Sequence, residues 1–185
     1  VHKAFDDATA ILAGDALLTL AFQILSDPKT HPDPAVRSEL VLLLAQASGM
    51  GGMIGGQILD LLAEERDLEE TSIRKLQSMK TGALIRYACE AGAVLGSARS
   101  KDRQKLARFG EIIGLAFQLT DDLLDVTAKS SDLGKATGKD AGRGKGTLVS
   151  VHGVQKMSAM LEELRTEAAA VLEPFGERAK VLRAS

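Results

Sequence analysis

The chain has no tryptophan, one tyrosine and one cysteine among its 185 residues, and aromatic side chains amount to 3% of it. Sheets draw on aromatic and β-branched residues to fill their pleated faces, so this scarcity argues for packed helices. With Cys89 alone an intrachain disulfide is excluded, and its place beside Ala88 and Ala91 in an apolar helical pattern marks it as an inert core thiol. An excess of one charge is lacking too. The net charge of -2 and pI of about 6.0 give no global reason to expect a nucleic-acid partner. No run reaches the roughly 18 uninterrupted apolar residues of a membrane span, and no signal-peptide pattern is present. The default expectation is a cytoplasmic protein without a membrane span.

What is present is 45% hydrophobic and 26% charged residues, the balance of a soluble globular chain, expected to form one domain over residues 1–185. The chain starts at Val1 without an initiator Met and is helix-forming from its first turn, so its start is expected to lie inside a longer protein.

Nearly every segment carries the 3.6-residue period, and none shows strict alternation bounded by turn residues, which predicts an all-α fold. A first helix is expected from about His2 to Leu25, ending where Pro28 and Pro32 forbid continuation. Asp33 reads as an N-cap with Pro34 at the first helical position, opening a helix through Ser48. Gly49, Gly51, Gly52, Gly55 and Gly56 follow, a density that is costly in a helix unless backbones or a ligand approach closely. Gln57 and Asp60 are polar residues just beyond. A charged loop, Glu64 to Glu70, precedes a helix with Thr71 as a plausible cap. Lys80-Thr81-Gly82 should kink that helix before it resumes through Leu95. Further helices are expected over about Asp102 to Lys129 and Val154 to Leu172, separated by an irregular segment from Ser130 to Thr147.

The helix ending near Lys129 carries Asp121-Asp122-Leu123-Leu124-Asp125. Asp121 and Asp125 stand at i and i+4 and Asp122 and Asp125 at i and i+3, so the carboxylates crowd one face and repel one another. A cation should compensate them, and hard oxygen donors at close spacing suit Mg²⁺ held together with substrate phosphates. The segment that follows contains Lys135, Lys139, Arg143 and Lys145 among five glycines, anion ligands beside metal ligands, which is what a diphosphate needs. It is not a Walker A loop: Gly138 and Gly144 are wrongly spaced, Gly146 follows Lys145, and no strand precedes it.

The string from Phe117 through Gln118 to Asp125, with Leu133-Gly134-Lys135 and Gly138-Lys139-Asp140 after it, closely resembles the second aspartate-rich motif of the trans-isoprenyl diphosphate synthases. Lys80-Thr81-Gly82-Ala83-Leu84 is similar to that family's Lys-Thr kink, and Gly55-Gly56-Gln57 with Asp60 to its glycine-glutamine segment. Ala10 to Leu17 resembles the helix after its first aspartate motif. The resemblance covers the chain in the expected order and is nearest to the bacterial short-chain farnesyl diphosphate synthases. Its first aspartate motif, and its basic and His residues for the homoallylic substrate, have no counterpart here, and the C-terminus is short of the family's last helix.

The resemblance implies an isoprenoid-synthase-type bundle of mostly antiparallel helices around a central cavity, here incomplete, and a homodimer when complete. It implies a prenyltransferase that ionises an allylic diphosphate, condenses it with isopentenyl diphosphate and eliminates a proton to give farnesyl diphosphate. Asp121, Asp122 and Asp125 would hold Mg²⁺, and Lys80, Lys135 and Lys145 would contact the diphosphate. Thr81 and Gln118 would face the cation, and Gln57 and Asp60 would orient waters and Lys80. His2, His31 and His152 share no spacing that suggests a site. Alternatives within the fold are a geranylgeranyl or longer-chain synthase, or a non-catalytic partner of a complete synthase. With one side of the metal site missing, the chain as given is expected to bind diphosphate weakly without turnover. It is also expected to associate through the uncovered apolar faces of Ala4, Phe5, Ala8, Ile11 and Leu12.

Overall fold

The computed structural model describes residues 1–63, 69–132 and 148–184, and among them there is no strand. The elements are α1 (Asp7–Ser26), α2 (Pro34–Ser48), α3 (Met53–Ala63), α4 (Glu70–Gln77), a π-helical turn (Ser78–Gly82), α5 (Ala83–Leu95), α6 (Ser100–Asp132), α7 (Leu148–Leu172), a 3₁₀ segment (Glu173–Ala179) and α8 (Lys180–Arg183). The fold is all-α.

Local chemistry sets the helix ends. Asp6 is extended and its carboxylate accepts from the Thr9 amide at 2.7 Å, so α1 begins at Asp7 rather than at the expected His2. Asp33 caps α2 as the sequence suggests, accepting from the Ala35 amide at 2.8 Å, with Pro34 in the first turn. Glu69 rather than Thr71 occupies the N-cap of α4, without a side-chain hydrogen bond. Helix α6 extends through Ser130 to Asp132, positions expected to lie in a loop. Gly153, at φ 77°, interrupts α7 one residue before the Val154 start read from the sequence. A residue with a Cβ would be strained in that conformation.

Two core clusters join the long helices. Ile73 of α4, Leu119 of α6 and Met157 of α7 form one, and Phe109 and Ile112 of α6 with Ala168, Leu172 and Ala179 form the other. Leu40, Ile112, Leu119, Met157 and Leu172 are essentially inaccessible, and each such side chain contributes about 1.5–3 kcal/mol of transfer free energy. Arg108 near the start of α6 pairs with Glu167 near the end of α7, whereas Leu119 meets Met157, so these helices run antiparallel. Cys89 sits half-buried against the second cluster, and burial pushes its thiol pKa up.

The other end of the molecule is open. Helix α1 contributes no buried residue, and Phe5, Ile11, Leu12, Leu17 and Ile24 are more than half exposed. On α3 and the turn before it, Met50, Ile58, Leu61 and Leu62 are exposed as well. By length and composition alone, Asp7–Ser26 and Pro34–Ala63 are apolar enough to cross a membrane. The criterion of an uninterrupted run rejects α1 because Thr9, Asp15, Thr19 and Gln23 divide it.

Candidate active site

Three helical segments converge where α4 passes into α5. The ladder of contacts between this strand of helix and α6 is regular: Gln77 faces Asp122, Thr81 faces Gln118, Gly82 faces Gly114 and Arg86 faces Gly110. On α6 these partners recur every four residues, one stripe of a helix face. Opposite them the spacing is uneven, because the π turn inserts one extra residue between Gln77 and Gly82. Single π turns of this kind are frequent at functional sites.

Glycines permit the approach. A Cβ on Gly114 would stand 2.8 Å from the Cα of Gly82, and a Cβ on Gly56 of α3 would stand 2.3 Å from the backbone nitrogen of Lys80. The glycine density read from the sequence is thus explained, at Gly56, by helix α3 pressing on the π turn.

Within this junction the Thr81 hydroxyl donates to Gln118 Oε1 at 3.3 Å, and Lys80 Nζ meets Asp60 Oδ2 at 2.6 Å. Both side chains of the latter pair are mostly buried, at 34% and 18% exposure, so the lysine is held in place rather than waving in solvent. Gln57 lies half-buried on α3, one turn before Asp60. Asp121 is exposed and Asp122 half-buried at the solvent edge of the same α6 face. Asp125 takes its helical place one turn further on. Its side chain, together with Lys135 and Lys145, lies outside the described residues.

Nothing in the sequence spacing draws attention to Gln77, yet its Nε2 donates to Asp122 Oδ2 at 3.1 Å. The Gln77 Oε1 is buried without a hydrogen-bond partner among the described residues. An unsatisfied buried acceptor of this kind costs about 1–3 kcal/mol. His152 is likewise absorbed by packing: Nε2 lies 2.9 Å from Glu70 Oε2, tying the start of α7 to the start of α4, in an ion-pair geometry rather than a directed hydrogen bond. The Glu70 carboxyl is held below its ordinary value by His152 first and Arg74 second.

No group of three His, Cys, Asp or Glu side chains among the described residues forms a metal cage. The donors at hand are the carboxylates of Asp121 and Asp122, hard oxygens that suit a divalent cation sharing its coordination with waters and a phosphate. Gln77, which donates to Asp122, adds a buried Oε1 without a donor among the described residues. The set fits such an ion. A cleft of ≈ 680 Å³ begins immediately beyond the π turn, between α2 and α5, with Leu43, Met50, Ala83 and Tyr87 on its walls together with Gln46, Arg86 and Glu90. The Lys-Thr turn and the aspartate helix therefore touch directly, and the cleft lies beside them rather than between them.

A family model described as polyprenyl synthetase matches residues 1–177. The chain belongs to the polyprenyl synthetase family. It is 42% identical over 182 residues to the farnesyl diphosphate synthase of Escherichia coli (strain K12), covering 96% of this chain and 60% of that one. It is 37% identical over 180 residues to geranylgeranyl pyrophosphate synthase 11 of Arabidopsis thaliana, covering 94% of this chain and 50% of that one. The fold matches the crystal structure of an FPP/GFPP synthase from Zymomonas mobilis with a TM-score of 0.87 and 44% identity, covering 99% of this chain and 61% of that one. The chain thus spans at most about 60% of these three polyprenyl synthetase relatives. Farnesyl diphosphate synthases are prenyltransferases, and such enzymes in general use a divalent metal.

Proposed function

We propose that this chain supplies the second-aspartate-motif side of a prenyltransferase site that condenses isopentenyl diphosphate with dimethylallyl or geranyl diphosphate to give farnesyl diphosphate. The observation that carries the reading is the convergence of Lys80 and Thr81 with Gln118 and Asp122 at one helix junction, through contacts of 3.3 Å and less to Asp60, Gln118 and Gln77. Charge on the departing diphosphate is the main barrier to ionisation, so groups aimed at it supply most of the acceleration.

Asp121, Asp122 and Asp125 would hold Mg²⁺, which when bound neutralises the diphosphate and stabilises its departure. Lys80, released from or shared with Asp60, would contact the same diphosphate, as would Lys135 and Lys145. Thr81 and Gln118, hydrogen-bonded to each other, would stabilise a cation left by ionisation through their remaining oxygen lone pairs. Gln57 and Asp60 orient waters and Lys80. The cleft beyond Ala83 would take the hydrocarbon chain against Leu43, Met50 and Tyr87, with Gln46, Arg86 and Glu90 also on its walls.

The complete enzyme is a cytoplasmic homodimer in this reading, with the uncovered face of α1 as protein contact surface rather than lipid contact, since Asp15 and Thr19 interrupt that helix. Geranylgeranyl synthase relatives support a longer product as a second reading.

The test joins the upstream part of the Escherichia coli farnesyl diphosphate synthase to Val1 and assays product from isopentenyl and dimethylallyl diphosphates. The chimera should make a prenyl diphosphate whose length decides between the two products, residues 1–185 alone should not turn over, and Asp121→Ala should cost at least about 10²–10³ in rate. A folded chimera without product, or one indifferent to Asp121→Ala, would overturn the proposal.

A further inference from the structure

Among the described residues, Gln77 is a strongly buried polar side chain of the junction to which the proposed chemistry gives no part. It is 8% exposed, closes α4 at the lip of the π turn, and donates from Nε2 to Asp122 Oδ2 at 3.1 Å. The same carboxamide keeps an acceptor, Oε1, buried with no donor among the described residues. A carboxamide serving only to fasten two helices would be expected to have both ends satisfied, because a buried acceptor left open opposes packing. A donor supplied from outside the protein would complete it, and waters on a divalent cation are strong donors.

We propose that Gln77 is a positioning residue of the metal site: its Nε2 fixes the orientation of the Asp122 carboxylate, and its Oε1 accepts a hydrogen bond from a water on the cation which that carboxylate binds. This rests on the function proposed above, and it adds a residue from the opposite helix to the aspartate motif. The π turn gives the arrangement a direct consequence. Gln77 and Lys80 lie three residues apart on one segment, so the carboxylate that binds the cation and the lysine that contacts the diphosphate are referred to a single rigid piece of backbone. Groups that orient metal ligands in this way typically change metal affinity 10–100-fold when removed.

The test measures Mn²⁺ binding by electron paramagnetic resonance, with inorganic diphosphate present, for the chain and for Gln77→Met, Asp122→Asn, the double variant and Asp121→Ala, alongside metal-free melting temperatures. Gln77→Met should weaken Mn²⁺ binding by about tenfold. Its metal-free melting temperature should be unchanged or higher, since the orphaned acceptor has gone. In the Asp122→Asn background it should cause no further loss of affinity. Wild-type affinity in Gln77→Met, with Asp121→Ala still weakened, would overturn this inference and leave the proposed function standing. Equal, negligible binding by wild type and Asp121→Ala would overturn both. If Gln77→Met does not fold, Gln77→Asn keeps the carboxamide but shortens its reach, and the same loss of affinity is expected; wild-type affinity there refutes the proposal.

Discussion

Replacing Gly56 by Ala opposes two effects of known size. In an exposed helix the change stabilises by up to about 1 kcal/mol, because alanine loses less backbone freedom on folding. At Gly56 the new methyl would stand 2.3 Å from Lys80 N, 2.7 Å from Lys80 Cα and 2.8 Å from the Met79 carbonyl carbon. These are backbone atoms of the π turn and cannot rotate away, so α3 and the turn must separate by roughly 1 Å to restore ordinary contact. Overpacking of a close contact costs about 1–3 kcal/mol, occasionally more, which outweighs the helix-propensity gain. Gly92 in α5 supplies the control: a Cβ there meets nothing within 4 Å. Urea denaturation should therefore show Gly56→Ala destabilised by about 1–2 kcal/mol and Gly92→Ala neutral or stabilised by up to about 1 kcal/mol. The separation would also pull Lys80 from Asp60, so a diphosphate titration should weaken in the first variant only. Equal or greater stability of Gly56→Ala would refute the packing argument.

The carboxyls of Glu70 and Asp6 are both lowered by their partners, so their stabilisation is present above their unfolded values and is lost as pH falls through the lower folded ones. Melting temperature should drop as pH falls below about 4, and Glu70→Gln should flatten part of that drop; a variant with the full wild-type acid dependence would refute the role given to the His152–Glu70 pair. Exposed apolar surface on α1 predicts self-association of the chain, and Ile11→Lys with Leu12→Glu should shift sedimentation velocity toward monomer. An unchanged distribution would place the contact elsewhere.

Elements governed by local chemistry were legible in the sequence. Asp33-Pro34 announces α2, and the prolines after Ser26 announce the end of α1. The Lys-Thr-Gly interruption was legible as a kink but not as a π turn, because the extra residue is decided by what presses from other helices, Gly56 on one side and Gly114 on the other. The start of α4 was misjudged because Thr71 is a good capping residue by type, whereas the chain turns into the helix at Glu69. In the site, the aspartate motif and Lys80 carried their spacing openly. Gln77 did not, since a single glutamine after Leu76 looks like any solvated helix position until α6 covers it. The pairing of His152 with Glu70 was equally hidden, since the two stand far apart along the chain.

The π turn changes how this chain can vary. One extra residue per turn rotates everything after it by about 100° around the helix axis relative to an unbroken α-helix. The faces that α4 and α5 offer to α6 are thus out of phase in sequence though aligned in space. A constant helical wheel drawn across both would blur them into one weakly amphipathic stretch. Single-residue gaps in an alignment through Ser78–Gly82 would accordingly carry more structural meaning than any substitution there, since a gap swings a whole flank of the bundle while most replacements leave its phase untouched.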